Sequence, residues 1–261
     1  MFINSKDNDK IKYTKSLLKT KTRNKDKKFI VEGYRILTLA IECSALIDYV
    51  FINEDFENKE EHKTLIKDLE KLKVAVYKTT NKLFEEFCDT KNTQGVIGVV
   101  KFNPKNENEL SKDDRFVLVL DRIQDPGNMG TIIRTADACG IDSIVLIKGC
   151  VDIYNPKVIR STMGSIFDMN IVSLDEEDAI KMIKKNDFKI VSSYLDTENF
   201  YNDIEYDYKS ALVIGNEANG ISQNIIDNSD TLVKIPIYGK AESLNAGISA
   251  AILMYEIKKY I

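Results

Sequence analysis

Five short apolar runs constrain this chain more than anything else in it: residues 115–120 (RFVLVL), 143–147 (SIVLI), 188–195 (FKIVSSYL), 211–214 (ALVI) and 231–235 (TLVKI). Each has the length of a strand, and the runs stop at Asp121, at Gly215-Asn216 and at Pro236, which cannot donate to a strand ladder. Helix-length stretches separate them, among them residues 131–139, closed by Gly140, and the acidic residues 175–186. Buried strands alternating with helices predict an α/β fold built on a parallel sheet.

The first hundred residues repeat the alternation on a smaller scale. Residues 8–20 carry a sparse helical stripe (Ile11, Leu17, Leu18). A strand is expected at 29–31, a turn at Glu32-Gly33 and a helix at 34–42. Further strands are expected at 46–52, 74–77 and 95–100, with a charged helix at 59–72. Residues 103–114 are polar and lack periodicity, so the linker belongs there. The expected domains are therefore 1–102 and 115–261, an ordinary division for 261 residues.

Composition narrows the function class. No apolar run approaches the ~18 residues needed to span a bilayer, and the N-terminus lacks a signal peptide's apolar middle. Cys43, Cys88, Cys139 and Cys150 show no C-x-x-C spacing, which argues against metal sites and disulfides alike. These features predict a cytoplasmic protein without a membrane segment or metal. Net charge is −4, but residues 1–28 hold ten lysines and arginines against three aspartates, a local +7 that leaves −11 on the remainder. Such asymmetry suits a face turned toward a polyanion, although a solvated basic helix reads the same way.

The chemistry-bearing residues cluster at the strand ends. Neither G-x-G-x-x-G nor G-x-x-x-x-G-K-[ST] occurs, which disfavours a Rossmann dinucleotide site and a P-loop. The sole histidine, His62, lies far from every glycine-rich turn, which disfavours a Ser–His hydrolase or a histidine base. Gly215 and Gly220 frame a G-x-E-x-x-G whose pattern alone is compatible with turn punctuation. On the 131–139 helix, Arg134 lies about 200° from Ile132, off the apolar stripe, facing solvent, a partner subunit or a ligand.

Three stretches together, LDRIQDPGNMGTIIRTADACG (120–140), LVIGNEANGIS (212–222) and IPIYGKAESLNAGISAAILMYE (235–256), resemble the ordered motifs of the SpoU-type (TrmH-like) RNA ribose 2′-O-methyltransferases of the SPOUT class. The "R…FIVEG" and TQG (93–95) elements of the first domain are similar to the L30e-like substrate-binding module carried by many of those enzymes. The resemblance implies a C-terminal SPOUT α/β domain with a trefoil knot, S-adenosyl-L-methionine as cofactor and RNA as substrate, ribosomal RNA being favoured over transfer RNA. A non-catalytic RNA-binding protein and a base-nitrogen methyl acceptor are the competing readings. It further implies catalytic roles for Arg134, Asn128, Glu217, Ser243 and Asn245, with Asn128 steadying Arg134. Gly215, Asn216, Gly220, Ile235, Ile237 and Leu244 would bind the cofactor, though Ile235 and Leu244 also suit a plain core. RNA contacts would come from Lys21, Arg23, Lys27, Lys28 and from Arg160 in the Arg-Ser-x-x-Gly-Ser element. Arg23 also has the simpler possibility of pairing with Glu32.

From Asn245 onward the last helix is apolar over too wide an arc for one packing surface. It is expected to pack on its own sheet and, through 245–260, on a second copy as a homodimer.

Overall fold

The computed structural model describes residues 1–90, 93–102 and 109–261. In chain order the elements are β1 (Phe2–Ile3), α1 (Asp9–Ser16), α2 (Thr20–Asp26), β2 (Lys28–Glu32), α3 (Tyr34–Glu42), β3 (Ile47–Asn53), α4 (Lys63–Lys71), β4 (Ala75–Thr79), α5 (Asn81–Glu85) and β5 (Val96–Lys101). There follow β6 (Phe116–Asp121), α6 (Pro126–Cys139), β7 (Ser143–Ile147), α7 (Pro156–Thr162), β8 (Asn170–Leu174) and α8 (Glu176–Lys185). The chain closes with β9 (Lys189–Ser193), β10 (Ser210–Gly215), α9 (Gln223–Asp227), β11 (Thr231–Val233) and α10 (Ala246–Ile257). Contacts divide it into two compact units: Met1–Asn103 with Asp152–Asp168, and Pro104–Val151 with Met169–Ile261. Of the linker expected at 103–114, residues 103–108 lie outside the described residues.

The N-terminal unit is organised on a mixed sheet of order β1-β4-β3-β5-β2, with β1, β4 and β3 parallel and β5 antiparallel to both its neighbours. Successive strand residues point to opposite faces. Ile30 therefore joins Tyr49, Phe51, Phe84, Phe87 and Val99 in one core, under Ile11 and Leu17. Phe29, on the reverse face, meets Tyr154, with ring centroids 4.7 Å apart, and Tyr154 stacks on Phe102 at 3.8 Å. Thus Asp152–Asp168, sequentially in the middle of the C-terminal half, docks its α7 against β2. His62 is a core residue. It stacks on Phe56 at 3.9 Å, with Nδ1 at 2.9 Å from the Phe56 carbonyl oxygen.

The C-terminal unit is a parallel sheet of order β11-β9-β10-β6-β7-β8. Central β6 is buried along its whole length, as its unbroken apolar run requires. Ala179, Ile180 and Ile183 of α8 and Ile225 of α9 join one core with Val117, Val119, Val145 and Val213. α10 packs against α6 and β10. The register pairs Gly215 with Asp121, so the carboxyl ends of β10 and β6 stop side by side. In open α/β sheets such ends are where ligand crevices form.

The structure differs from the sequence expectations where caps and ladders override periodicity. The helix expected from Thr131 begins at Pro126 instead, because Asp125 caps the Asn128 N–H at 2.8 Å and proline suits the first helical position. The stripe at 8–20 breaks into α1 and α2 around Leu17–Lys19. β11 ends at Val233, not Ile235. Its partner β9 ends at Ser193, opposite Val233, and no ladder remains for Ile235 to join.

Candidate cofactor and catalytic site

Gly215 ends β10 because nothing larger fits. The chain after it folds straight back, with Asn216 N–H donating to the Gly220 carbonyl at 3.0 Å and Gly220 N–H to that of Asn216 at 2.9 Å. A Cβ at position 215 would stand 2.4 Å from the Gly220 carbonyl carbon, and Gly220 itself turns through φ +64. The Asn216 side chain closes the loop. Its Oδ1 accepts from the Ala218 and Asn219 N–H groups at 3.0 and 2.9 Å, and its Nδ2 donates to the Arg122 carbonyl at 2.8 Å.

This fold-back carries Glu217 to the N-terminus of α6. Glu217 Oε1 accepts Asn128 Nδ2 at 2.9 Å and the Asp125 N–H at 3.3 Å, while Oε2 accepts the Gln124 N–H at 3.3 Å. Partial burial pushes the carboxyl upward, but hydrogen bonds from Asn128 and the backbone outweigh it and hold the group below the usual carboxylate range. Asn245 completes the cluster. Its Nδ2 donates to Asn128 Oδ1 at 2.8 Å, and its Oδ1 caps α10 by accepting from the Gly247 and Ile248 N–H groups at 2.9 and 3.3 Å. One glutamate–asparagine–asparagine chain, with Asn128 in the middle, thus ties the three glycine-rich turns together.

Around that cluster two things are left open. Arg134 is exposed on α6 and makes no hydrogen bond or ion pair with another described residue. Asn128, with both amide atoms engaged by Glu217 and Asn245, does not steady it; the expected Asn128–Arg134 pairing is replaced by the network above. The chain from Ile235 to Leu244 likewise makes no hydrogen bond to another described residue. Ile235 and Ile237 are half-buried, and Ser243 and Leu244 are exposed. Unpaired backbone groups beside half-buried isoleucines fit a ligand with a flat heterocycle and polar edges. S-adenosylmethionine has that form, so the residues present suit the cofactor that the motifs imply.

Residues 115–255 match the model of the SpoU rRNA methylase family, and residues 8–98 match an MRM3-like substrate-binding domain. The chain belongs to the SpoU rRNA methylase family. Along 98% of its length and 98% of the relative's it is 31% identical to the 23S rRNA (guanosine(2553)-2′-O)-methyltransferase RlmP of Bacillus subtilis. Among solved structures it is similar to an AdoMet-bound rRNA methyltransferase from Sinorhizobium meliloti, with a TM-score of 0.88, 26% identity and coverage of 100% of this chain and 98% of that one. It is also similar to the SpoU methyltransferase AviRb from Streptomyces viridochromogenes in complex with AdoMet, with a TM-score of 0.84, 25% identity and 97% of each chain covered.

Within this SpoU chain the residues expected to meet RNA divide sharply. Arg23 is not available. Its side chain is 1% exposed and its donors are spent inside the N-terminal unit: Nε and Nη2 on Asp152 at 3.0 and 2.7 Å, Nη1 on the carbonyls of Leu17 and Leu18 at 2.8 Å each, and Nη2 also on Thr20. The alternative pairing with Glu32 fails too, since Glu32 accepts from Asp89 and Thr90. Lys28 is half-buried and paired with Asp48 at 2.7 Å. Arg160 pairs with Asp89 at 2.7 Å while keeping a third of its side chain exposed. Lys21 is exposed, and Lys27, also exposed, holds its Nζ 5.5 Å from the centre of the Phe102 ring.

Asp125, which caps α6 and places Asn128, escaped the sequence reading. The Asp-Pro pair ahead of a helix was the signal that could have found it.

Proposed function

We propose that this chain transfers a methyl group from S-adenosylmethionine to a ribose 2′-hydroxyl of 23S ribosomal RNA. The observation that carries the reading is the cluster of Glu217, Asn128 and Asn245, which joins the three motif stretches beside the adjoining ends of β6 and β10, with Arg134 exposed and unpaired among the described residues on the same helix as Asn128. The chain is an S-adenosylmethionine-dependent RNA 2′-O-methyltransferase of the SpoU family. Bound at the turns, the cofactor would supply a methyl group already activated on a sulfonium, its S–CH3 bond breaking as the O2′–CH3 bond forms, with S-adenosylhomocysteine as the leaving thioether and the hydroxyl proton passing to solvent. The work left to the protein is to hold donor and hydroxyl in line and to exclude water.

The residues divide that work. Gly215, Asn216 and Gly220 shape the fold-back loop, and backbone groups of Ile235, Ile237 and Leu244 grip the cofactor. Glu217, Asn128 and Asn245 lock the turns together; with both oxygens engaged and its acidity strengthened, Glu217 is built to accept hydrogen bonds rather than to take a proton. Ser243 lines the site. The Arg134 guanidinium, which does not deprotonate in proteins, binds the phosphate beside the target and orients its hydroxyl.

In this reading the N-terminal unit, residues 1–102 with Asp152–Asp168, is the RNA-binding domain, with Lys21, Lys27 and Arg160 as phosphate contacts, and the rest of residues 115–261 is the methyltransferase domain. Ribosomal RNA places the enzyme in the cytoplasm; no helix among the described residues is long and apolar enough to cross a membrane. A homodimer forms through the outer face of α10, where Ile248 and Tyr255 are exposed and Ile252 half-exposed. A monomeric mass in solution at micromolar concentration would remove the dimer.

The decisive experiment supplies ribosomal RNA and labelled S-adenosylmethionine, then hydrolyses the RNA in alkali. Ribose methylation leaves a labelled dinucleotide resistant to alkali. Label recovered only in mononucleotides would assign the methyl to a base and overturn the proposal.

A further inference from the structure

At the carboxyl end of β6 lies a charged pair to which the reaction described above gives no task. Asp121 is fully buried, and Arg122, the next residue, is about one third exposed. Asp121 Oδ1 accepts Arg122 Nε at 2.6 Å. Its Oδ2 accepts Arg122 Nη2 at 2.8 Å and the Ser222 N–H, also at 2.8 Å. Consecutive side chains of a strand point to opposite faces, so neighbours cannot normally form a two-point ion pair. Here they do because Arg122 adopts φ +58, a left-handed turn that brings its side chain back over Asp121. The aliphatic part of that side chain packs on Gly149, where a Cβ would come within 2.9 Å of Arg122 Cγ. Its carbonyl accepts Asn216 Nδ2 at 2.8 Å.

The pair therefore touches the fold-back loop at both ends, Asn216 where it leaves β10 and Ser222 where it enters α9, with Glu217 between. Strained backbone of this kind persists where the surroundings over-determine it, and it clusters at ligand clamps. A buried carboxylate with three donors also fixes direction, because moving any one of them costs a hydrogen bond that solvent cannot reach to replace.

We propose that Asp121 and Arg122 are positioning residues for cofactor binding, setting the height of loop 216–222 and so the place of Glu217 and of the cofactor against the α6 turn. This rests on loop 216–222 belonging to the S-adenosylmethionine site, as argued above. Neither residue touches the reacting atoms. The pair acts through Asn216 and Ser222.

The test uses the full chain and three variants at the solvent-facing partner, Arg122→Gly, Arg122→Gln and Arg122→Lys, with Asp121→Asn as a buried comparison. Glycine accepts φ +58 without strain, so Arg122→Gly relieves the backbone while removing the clamp. Calorimetry with S-adenosylmethionine, thermal unfolding, and turnover with ribosomal RNA are measured on each. We expect Arg122→Gly and Arg122→Gln to melt lower, because each strands the buried Asp121 carboxylate. The double variant Asp121→Asn/Arg122→Gln, which removes that charge, should melt close to the wild type. All three should bind the cofactor about tenfold more weakly whatever their melting temperature, with KM for it rising by a similar factor and kcat falling less. Arg122→Lys, which keeps charge but loses the fork, should recover part of the affinity. Variants that bind as tightly as the wild type would overturn the clamp and leave the methyltransferase reading intact. So would affinity losses that merely follow the melting temperature. A wild type that binds no S-adenosylmethionine would bring down both.

Discussion

Two arginines, one in each unit, look interchangeable as strings of letters and are opposites as structures. Arg23 stands in a lysine-rich stretch that invites an RNA contact, yet it is buried with its guanidinium donors spent on Asp152, Thr20 and two backbone carbonyls. Arg134 stands on the solvent side of an amphipathic helix, exposed and with its side chain unpaired among the described residues. A guanidinium presents five donors in a fixed fork. Satisfied from within, it stiffens a fold; left exposed and unsatisfied, it is free for a ligand. The contrast separates architecture from chemistry where residue type does not.

The largest effect expected from breaking the contrast is on stability. Arg23→Ala leaves the Asp152 carboxylate without its cationic partner, and removing one member of a buried pair costs about 3–5 kcal/mol. Urea unfolding of Arg23→Ala should show a loss in this range, much of it recovered in the double variant Arg23→Ala/Asp152→Ala, because the stranded charge is gone. If Arg23→Ala unfolded like the wild type and lost RNA affinity instead, Arg23 would be a contact residue after all.

Arg134 should behave in the reverse way. Arg134→Ala is expected to unfold within about 0.5 kcal/mol of the wild type, as surface substitutions do. Its turnover at saturating cofactor and RNA should fall roughly 10²–10³-fold, the usual cost of removing one preorganised charged donor from a site. Arg134→Lys keeps the charge and loses the fork, so it should fall between the two. Full turnover by Arg134→Lys would rule out two-point positioning of the phosphate.

The same contrast explains what the sequence could disclose. The parallel sheet was legible because buried strands must be apolar and must end somewhere; Asp121 and Gly215 mark two of those ends, while Pro236 lies beyond the end of β11 at Val233. Glycine at 215 was legible as a turn, though not its reason, which is the return of Gly220 to within van der Waals contact. Arg23 was misread because its partner is 129 residues away, and no local pattern reports a long-range pair. Asn128 is expected from the motif to steady Arg134, and the fold gives it other neighbours. A helix that starts at Pro126 turns its amide to Glu217 and Asn245, away from Arg134. The placement of Asp152–Asp168 in the N-terminal unit was invisible for a similar reason. Phe102 and Tyr154 are ordinary aromatics until the fold stacks them at 3.8 Å.

The smallest predicted effect tests whether the Glu217 cluster is lock or reagent. Hydrogen bonds from Asn128 and the backbone hold the Glu217 carboxyl below its ordinary value despite partial burial, so folding favours its ionised form. A carboxyl whose pKa is lower folded than unfolded stabilises the protein at every pH above the unfolded value, about 4.3 for glutamate. That contribution fades as pH falls through the lower folded value. Glu217→Gln cannot ionise, so the stability difference from the wild type should be level through neutral and mildly acidic pH and shrink only below the ordinary glutamate range. Unfolding curves collected across acid pH will show it. A lock, moreover, should leave the pH–rate profile of methyl transfer unchanged in shape when Glu217 becomes glutamine, only lower in height. Loss of an acidic limb from that profile would make Glu217 the base and leave positioning to Arg134 alone.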